Sequence, residues 1–433
     1  MMRFKDRHLR LLSEPWLACC RVLTLCGLRL LLPQRARHVP YEPDPGSLLY
    51  VAASCLPYHT SGYTRRTHEL CRALEAGGAV LSVMTRPGYP WDRKDREATP
   101  LEPETRLDGV VYAHERVPSK FRPVWLYAMQ AAPVIARVAR QKRVAAIQAA
   151  SNHVNALPAL FAARKLGVPF FYEMRGLWEL TRASRMPAYE GSQSYRQGLA
   201  LEAFVAGNAD RVFVISERLG RYLTEHWAIP QERIFLLPNC VDPELLSPAE
   251  GALARPTAIV YAGSLIGYEG LDVLINAVDL LSARGRAVLV YIAGDGEERT
   301  ALEEQVRSLT LSHQIRFLGK VSPKSACELV REAVFVCIPR RPFRVCKLVP
   351  PIKLVEALAL GKPVIVPDMP LFHDELGDSG AGFFFRPGDP LDLAETIVRL
   401  LDDDALRENA GCRARAYAAA HRNWQHFIPA IID

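Results

Sequence analysis

Residues 349–368 read VPPIKLVEALALGKPVIVPD. Pro350 and Pro351 can open a helix, because its first turn needs no backbone donor, and Gly361 can close it with a left-handed cap. Val364, Ile365 and Val366 then read as a short buried strand. Ile352, Leu354, Val355, Leu358, Ala359 and Leu360 leave the helix no broad polar face, so most of it is buried. Lys353 and Glu356 therefore need an explanation, since a buried charge requires a partner. In one reading they are simply exposed on a partly solvated helix. Pairing with each other explains little, because the favourable helical order is Glu before Lys and Lys353 sits at the positive end of the dipole. In the other reading an anion binds at the helix start, where backbone donors, dipole and ammonium would all face a phosphate.

Outward from this stretch the chain alternates short apolar, β-branched runs with helical patterns. Candidate strands fall at 48–53, 79–84, 110–113, 145–149, 169–173, 212–215 and 234–237, with helices at 62–75, 124–140, 157–166 and 218–226 between them. After a proline- and glycine-bearing link around 242–256 the pattern restarts, with strands at 258–261, 288–293, 315–317, 334–338, 364–366 and 382–385. This alternation means parallel sheets with right-handed crossovers, and hence an α/β fold of two Rossmann-like doubly wound domains facing a central cleft. Ligands bind such sheets at the carboxyl ends of the strands. The motifs YAGS at 261–264 and AGDGEE at 293–298 each end a strand with glycine, which permits a tight turn or a close backbone approach to a ligand.

A chain of 433 residues exceeds what one core fills. Its 49% hydrophobic and 23% charged residues are those of an ordinary globular protein. A net charge of +7 without an RNP-like motif, zinc-finger spacing or Lys-rich tail gives no case for nucleic acid. Ten cysteines with no Cys-x-x-Cys pair fit core thiols in a reduced, cytoplasmic setting.

The N-terminal run 16–32, WLACCRVLTLCGLRLLL, is marginal in length and contains Arg21 and Arg29, which argues against a membrane-spanning helix. Two readings stand: a helix on a membrane surface, and one packed on the protein body. Cys19 and Cys20 are candidate lipidation sites, although nothing in the sequence demands it.

The second half resembles the nucleotide-binding domain of glycosyltransferase family 4, the retaining sugar-nucleotide transferases of GT-B architecture. The residues that carry the likeness are VFVISERLGRYL, LPNCVD, YAGSLIGYEGLDVLINAV, IAGDGEE, IRFLGKVS and the opening stretch; LPYHTSGYTRRTHEL, GGAVLSVMTRPGYPWD and FYEMRGLWEL resemble members that build bacterial surface polysaccharides. The likeness spans roughly residues 47–425. It implies an N-terminal extension (1–46), an acceptor-side domain (47–245), a nucleotide-sugar domain (246–410) and a C-terminal helix crossing back (411–433).

By that resemblance Glu356 holds the donor ribose and Lys353 faces the diphosphate, which Gly263, Ser264 and Gly294 line, while backbone around Leu318 meets the base. Gly62 leaves room for the sugar at a helix start, and Arg175 faces the reacting centre. Catalysis would rest on Arg175 and Lys353, with no metal and no cofactor; the donor would be a UDP- or GDP-sugar. His59, Tyr63 and Glu173 are acceptor candidates. Glu173 and Glu179 either orient Arg175, bind acceptor or form a buried ion pair; His68 reads as structural.

Two departures qualify the likeness. The position eight before Glu356, where relatives carry a second glutamate, is Leu348, and the cationic pair after the first strand appears as Ser264 and Glu269. Phosphate neutralisation then leans on Lys353 and on Arg340, Arg341, Arg344 or Lys347, which read equally as a solvated basic loop. The expected reaction is transfer of a sugar to a glycan or polyprenyl-linked acceptor, in the cytoplasm on the inner face of the membrane. A sugar-nucleotide epimerase, a phosphorylase and a non-catalytic binding module are the alternatives. The helix within 121–143 offers a second membrane-facing surface, or simply a cover for the sheet.

Overall fold

The computed structural model describes residues 15, 19, 21–28, 30–93, 101–241 and 258–432. The link at 242–256 lies outside these, as do Trp16, Cys20 and Arg29. The chain forms two compact units: one runs to Leu237 and takes the chain back from Phe427, and the other spans Pro238–His426.

The first unit holds strands β1 (Ser47–Ala52), β2 (Val80–Thr85), β3 (Glu104–Leu107), β4 (Val110–Ala113), β5 (Ala146–Ala150), β6 (Phe170–Met174), β7 (Arg211–Val214) and β8 (Ile234–Leu236). Their order is β3-β4-β2-β1-β5-β6-β7-β8, parallel throughout except at β3/β4. Helices α1 (Gly62–Ala76), α2 (Val124–Gln141), α3 (His153–Leu166), α4 (Trp178–Arg185), α5 (Gln193–Gly207) and α6 (Glu217–Trp227) connect them, and a short α14 (Pro429–Ile432) comes back from the far end of the chain. β1, β5 and β6 are buried along their whole length, as strands covered on both faces must be.

The second unit is a parallel sheet of β9 (Ala258–Ala262), β10 (Leu289–Ala293), β11 (Ile315–Gly319), β12 (Phe335–Cys337), β13 (Val364–Pro367) and β14 (Gly382–Phe385), ordered β11-β10-β9-β12-β13-β14. Its helices are α7 (Leu271–Ala283), α8 (Arg299–Ser308), α9 (Pro323–Glu332), α10 (Ile352–Ala359), α11 (Pro370–Leu376), α12 (Pro390–Asp402) and α13 (Asp404–His421). α10 is the helix of the opening stretch: Pro351 is its N-cap, and Leu354, Val355, Ala357, Leu358 and Ala359 are buried. The unit boundaries differ from the sequence expectation of 245 and 411. α13 runs through position 411 and stays in the second unit, where Gly411 packs so closely on Gly361 that a Cβ would lie 2.5 Å from its carbonyl oxygen.

β3 is the strand that hydrophobic patterning misses. Its residues ETRL are half-exposed on an edge, and the turn into β4 at Asp108–Gly109 has positive φ at both positions, the hairpin chemistry of an Asp-Gly pair. α2 covers the sheet, burying Tyr127, Ala128, Ala131, Ala132, Ile135 and Ala139. Asp403, in the acidic run, caps α13, while Asp402 pairs with Arg286 and Asp404 with Arg407.

The N-terminal run packs on the body. Residues 21–28 are helical, and Arg21, Thr24 and Leu28 face inward, 9%, 0% and 1% exposed. Arg21 pairs with Glu179 at 3.1 Å and donates to the Tyr189 hydroxyl at 3.1 Å. Gly198 in α5 makes room for this pair, since a Cβ there would lie 2.0 Å from Glu179 Oε1. Gly198→Ala should therefore cost about 1–3 kcal/mol of stability, read as a lower urea midpoint. An unchanged midpoint would mean that the pair does not hold the segment.

Candidate functional site

In the second unit the expected donor residues gather at the carboxyl ends of neighbouring strands. Gly263 follows β9 and Gly294 follows β10; a Cβ on Gly294 would sit 1.8 Å from the Gly263 carbonyl oxygen, so only glycine fits. Gly294 N donates to the Gly319 carbonyl at the end of β11, 2.7 Å away, next to the exposed Leu318. From the other side Lys353, in the first turn of α10, lays its side chain over Gly263: a Cβ there would lie 2.7 Å from Nζ. Ser264 is exposed, with its carbonyl accepting from the Tyr261 hydroxyl at 2.8 Å. Glu356 is half-buried one turn along α10.

Lys353 is held by partners within its own unit. Its main partner is not Glu356 but Glu269, to which Nζ donates at 2.8 Å, together with the Tyr261 hydroxyl at 2.6 Å and the Tyr261 ring 3.9 Å from Nζ. Burial lowers the ammonium's pKa and Glu269 opposes this. Glu269 is itself bridged to Arg340, whose Nε and Nη2 donate to Oε1 at 3.2 and 2.9 Å. Burial alone would raise Glu269, yet Arg340 and Lys353 outweigh it and hold the carboxyl at about 2. The basic loop thus divides: Arg340 is buried in this cluster, Arg341 pairs with Asp272, and Arg344 and Lys347 are exposed.

In the first unit the structure brings Gly62, Tyr63, Glu173 and Arg175 together. Ser61 caps α1 with a reciprocal box to Thr64, so the helix start is well formed. The Tyr63 hydroxyl donates to the Ser151 carbonyl at 2.6 Å, and Arg175 lies over the Tyr63 ring at 4.4 Å. Arg175 Nε and Nη2 grip Glu173 at 2.8 and 3.0 Å, Nη2 reaches the Tyr50 hydroxyl at 2.5 Å, and Nη1 donates to Tyr63 O at 2.9 Å and Thr67 Oγ1 at 2.8 Å. All five guanidinium donors are thereby committed within the unit. Of the alternatives for Glu173, the buried ion pair with Arg175 is present. His59 is exposed in the preceding loop, and His68 bonds Tyr112 and Asp108.

Tyr50, Arg66, Thr67 and Tyr261 escape sequence reading. Arg66 shares Glu173, with Nε and Nη2 both 3.2 Å from Oε1, and donates to Leu237 O at 2.7 Å. Its position one turn after Tyr63 on α1 is the available signal. Burial would raise Glu173, but Arg175 and Arg66 hold it at about 2. A carboxyl depressed below its unfolded value of about 4.3 stabilises the fold above that pH and loses the contribution as pH falls toward 2. Unfolding free energy should fall by on the order of 3 kcal/mol from this group between pH 6 and pH 2, and Glu173→Gln should flatten that slope in urea titrations.

Two family models match, "Glycosyl transferase 4-like domain" over residues 61–240 and "Glycosyl transferases group 1" over 245–417. Among curated relatives, the glycogen synthase of Mycobacterium tuberculosis is 24% identical over 388 residues, covering 87% of this chain and 91% of that one. A phosphatidyl-myo-inositol mannosyltransferase of Mycolicibacterium smegmatis is 34% identical over 154 residues, 36% of this chain and 38% of its own. Among solved structures, sucrose-phosphate synthase from Thermosynechococcus elongatus superposes with a TM-score of 0.71 at 16% identity, covering 89% of this chain and 97% of that one. Anabaena HepE, solved in complex with UDP, gives 0.66 at 16% identity over 89% and 98%. The ordered motifs, the two parallel-sheet units and both family models agree: the chain belongs to glycosyltransferase family 4 and is a glycosyltransferase of the GT-B fold.

Proposed function

We propose that the protein is a retaining, metal-independent transferase that moves a sugar from a UDP- or GDP-sugar to a glycan or polyprenyl-linked acceptor in surface polysaccharide synthesis. The observation that carries this reading is Lys353 lying on Gly263 at the start of α10, beside the glycine-lined ends of β9, β10 and β11. There a diphosphate meets an ammonium, a helix N-terminus and backbone without side chains in the way. Glu356 accepts hydrogen bonds from the ribose hydroxyls, and backbone at Leu318 meets the base. The leaving group is a diphosphate, so the main task is to stabilise charge on it while the sugar becomes oxocarbenium-like. In the first unit Gly62, Tyr63 and His59 serve the sugar and acceptor. Arg175, its donors occupied, works as a positioning residue that ties the α1 start to β6.

A second reading has its own observations: Leu348 replaces an acid, and the Glu269, Arg340 and Lys353 cluster carries one net positive charge, which fits a binding module without turnover. Purified protein offered UDP-, GDP- and ADP-sugars separates the two. One nucleotide family should bind and be hydrolysed or transferred with retained anomeric configuration by NMR. Lys353→Ala and Glu356→Ala should each lower kcat/KM by roughly 10²-fold or more while the fold persists. Binding without turnover would replace the transferase with the module, and loss of neither function in Lys353→Ala would remove that residue's role.

The proposed membrane contact rests on the N-terminal helical residues, where, among the described residues, Val22, Leu23, Leu30 and Leu31 are 38%, 53%, 86% and 43% exposed. No described helix is long and apolar enough to cross a membrane. A peripheral enzyme working at the inner face would bury this face in the interface. Leu23→Asp should shift the protein from sedimenting vesicles of anionic lipid to the supernatant, and identical sedimentation would count against this face.

A further inference from the structure

The charge reversal at Glu269 puts an acid where the family resemblance leads one to look for a cation, and the fold shows what surrounds it. Glu269 ends the turn Gly267–Glu269 after β9, is 4% exposed, and sits between Lys353 and Arg340. Two explanations compete. The carboxylate is either a stand-in for phosphate that a ligand displaces, or a fixed post that holds the lysine.

The backbone favours the post. Gly270, at φ +71°, lies so close to the loop after β12 that a Cβ would be 2.0 Å from the Pro339 carbonyl oxygen. Arg341 N donates to Tyr268 O at 2.9 Å, and Arg340 Nη1 donates to Val349 O at 2.9 Å, just before α10. The turn carrying Glu269 is thus locked to the loop after β12, and that loop to the segment leading into α10. Withdrawing the carboxylate would leave Arg340 and Lys353 without their shared counter-ion. Of the three N–H donors on Lys353, Tyr261 and Glu269 take two, leaving one without an acceptor among the described residues.

We propose that Glu269 is a positioning residue for donor binding: with Arg340 as counter-cation it fixes Lys353 over Gly263, presenting one charged N–H to the phosphate. The inference rests on the donor site proposed above and deepens it. The groups facing Lys353 are Tyr261 from β9, Glu269 from the turn, Arg340 from the loop after β12, Cys346 from the following turn and Glu356 on its own helix. Burial and Arg340 favour loss of the lysine's proton; Glu269 and Glu356 oppose it. Removing Glu269 therefore lets Lys353 lose its proton at lower pH, and removing Arg340 has the opposite sign.

The test is calorimetric binding of UDP and of GDP to the full chain between pH 6.5 and 10.5. Wild type is compared with Glu269→Gln and Arg340→Gln, each checked for an intact thermal transition. Glu269→Gln should bind roughly tenfold or more weakly and lose binding on the alkaline side at lower pH than wild type. Arg340→Gln should move that limb to higher pH, an opposite displacement that general loosening of the site would not produce. Limbs that stay in place, or move together, would overturn the inference even if affinity falls. Should Glu269→Gln not fold, the direction of the Arg340→Gln limb alone decides. Wild type that binds neither nucleotide would instead overturn the donor-site reading, and this inference with it.

Discussion

A carboxylate taken out of water survives only inside a shell of donors, and each unit of this protein holds such a group, in β6 and in the turn after β9. In the first unit Glu173 lies between Arg66 and Arg175; in the second Glu269 lies between Arg340 and Lys353. Each cluster ties a strand end to the start or approach of a helix, α1 through Tyr63 and Thr67 and α10 through Val349. Backbone geometry at those helix starts is therefore set by ion pairs rather than by hydrophobic packing alone.

The two clusters differ in what they leave over. Arg175 commits all its donors to acceptors of the first unit. Lys353 keeps one N–H without an acceptor among the described residues.

Much of the fold was legible because periodicity and punctuation are local. The parallel strands, the α10 boundaries at Pro351 and Gly361, and the glycines after β9 and β10 all follow from short-range rules. β3 was not, since four half-exposed edge residues carry no apolar signature. At the site, Lys353 and the glycines were readable from their setting, but their partners were not: Glu269 is 84 positions from Lys353 and Arg340 is 71 from Glu269. Arg175 illustrates the same limit from the other side. A motif gives its place at a strand end, while only the folded chain reveals that Tyr50, Tyr63, Thr67 and Glu173 occupy its donors. Arg21 likewise looked like an interruption of an apolar run, and turns out to be the residue that attaches that run to Glu179.

The chain's return to its first unit has a further consequence. After α13 it leaves the second unit at His426, and the next residues supply Ile428 and Ile431, each 3% exposed, and a carbonyl at Ala430 that accepts from Arg211 at 2.6 Å. One unit is thus inserted within the other, so no single cut yields two self-sufficient halves. The second unit is one contiguous piece of chain, whereas the first needs its two ends spliced across the gap. Recombination that exchanges the second unit between relatives must accordingly swap an internal cassette with two junctions, not a tail with one.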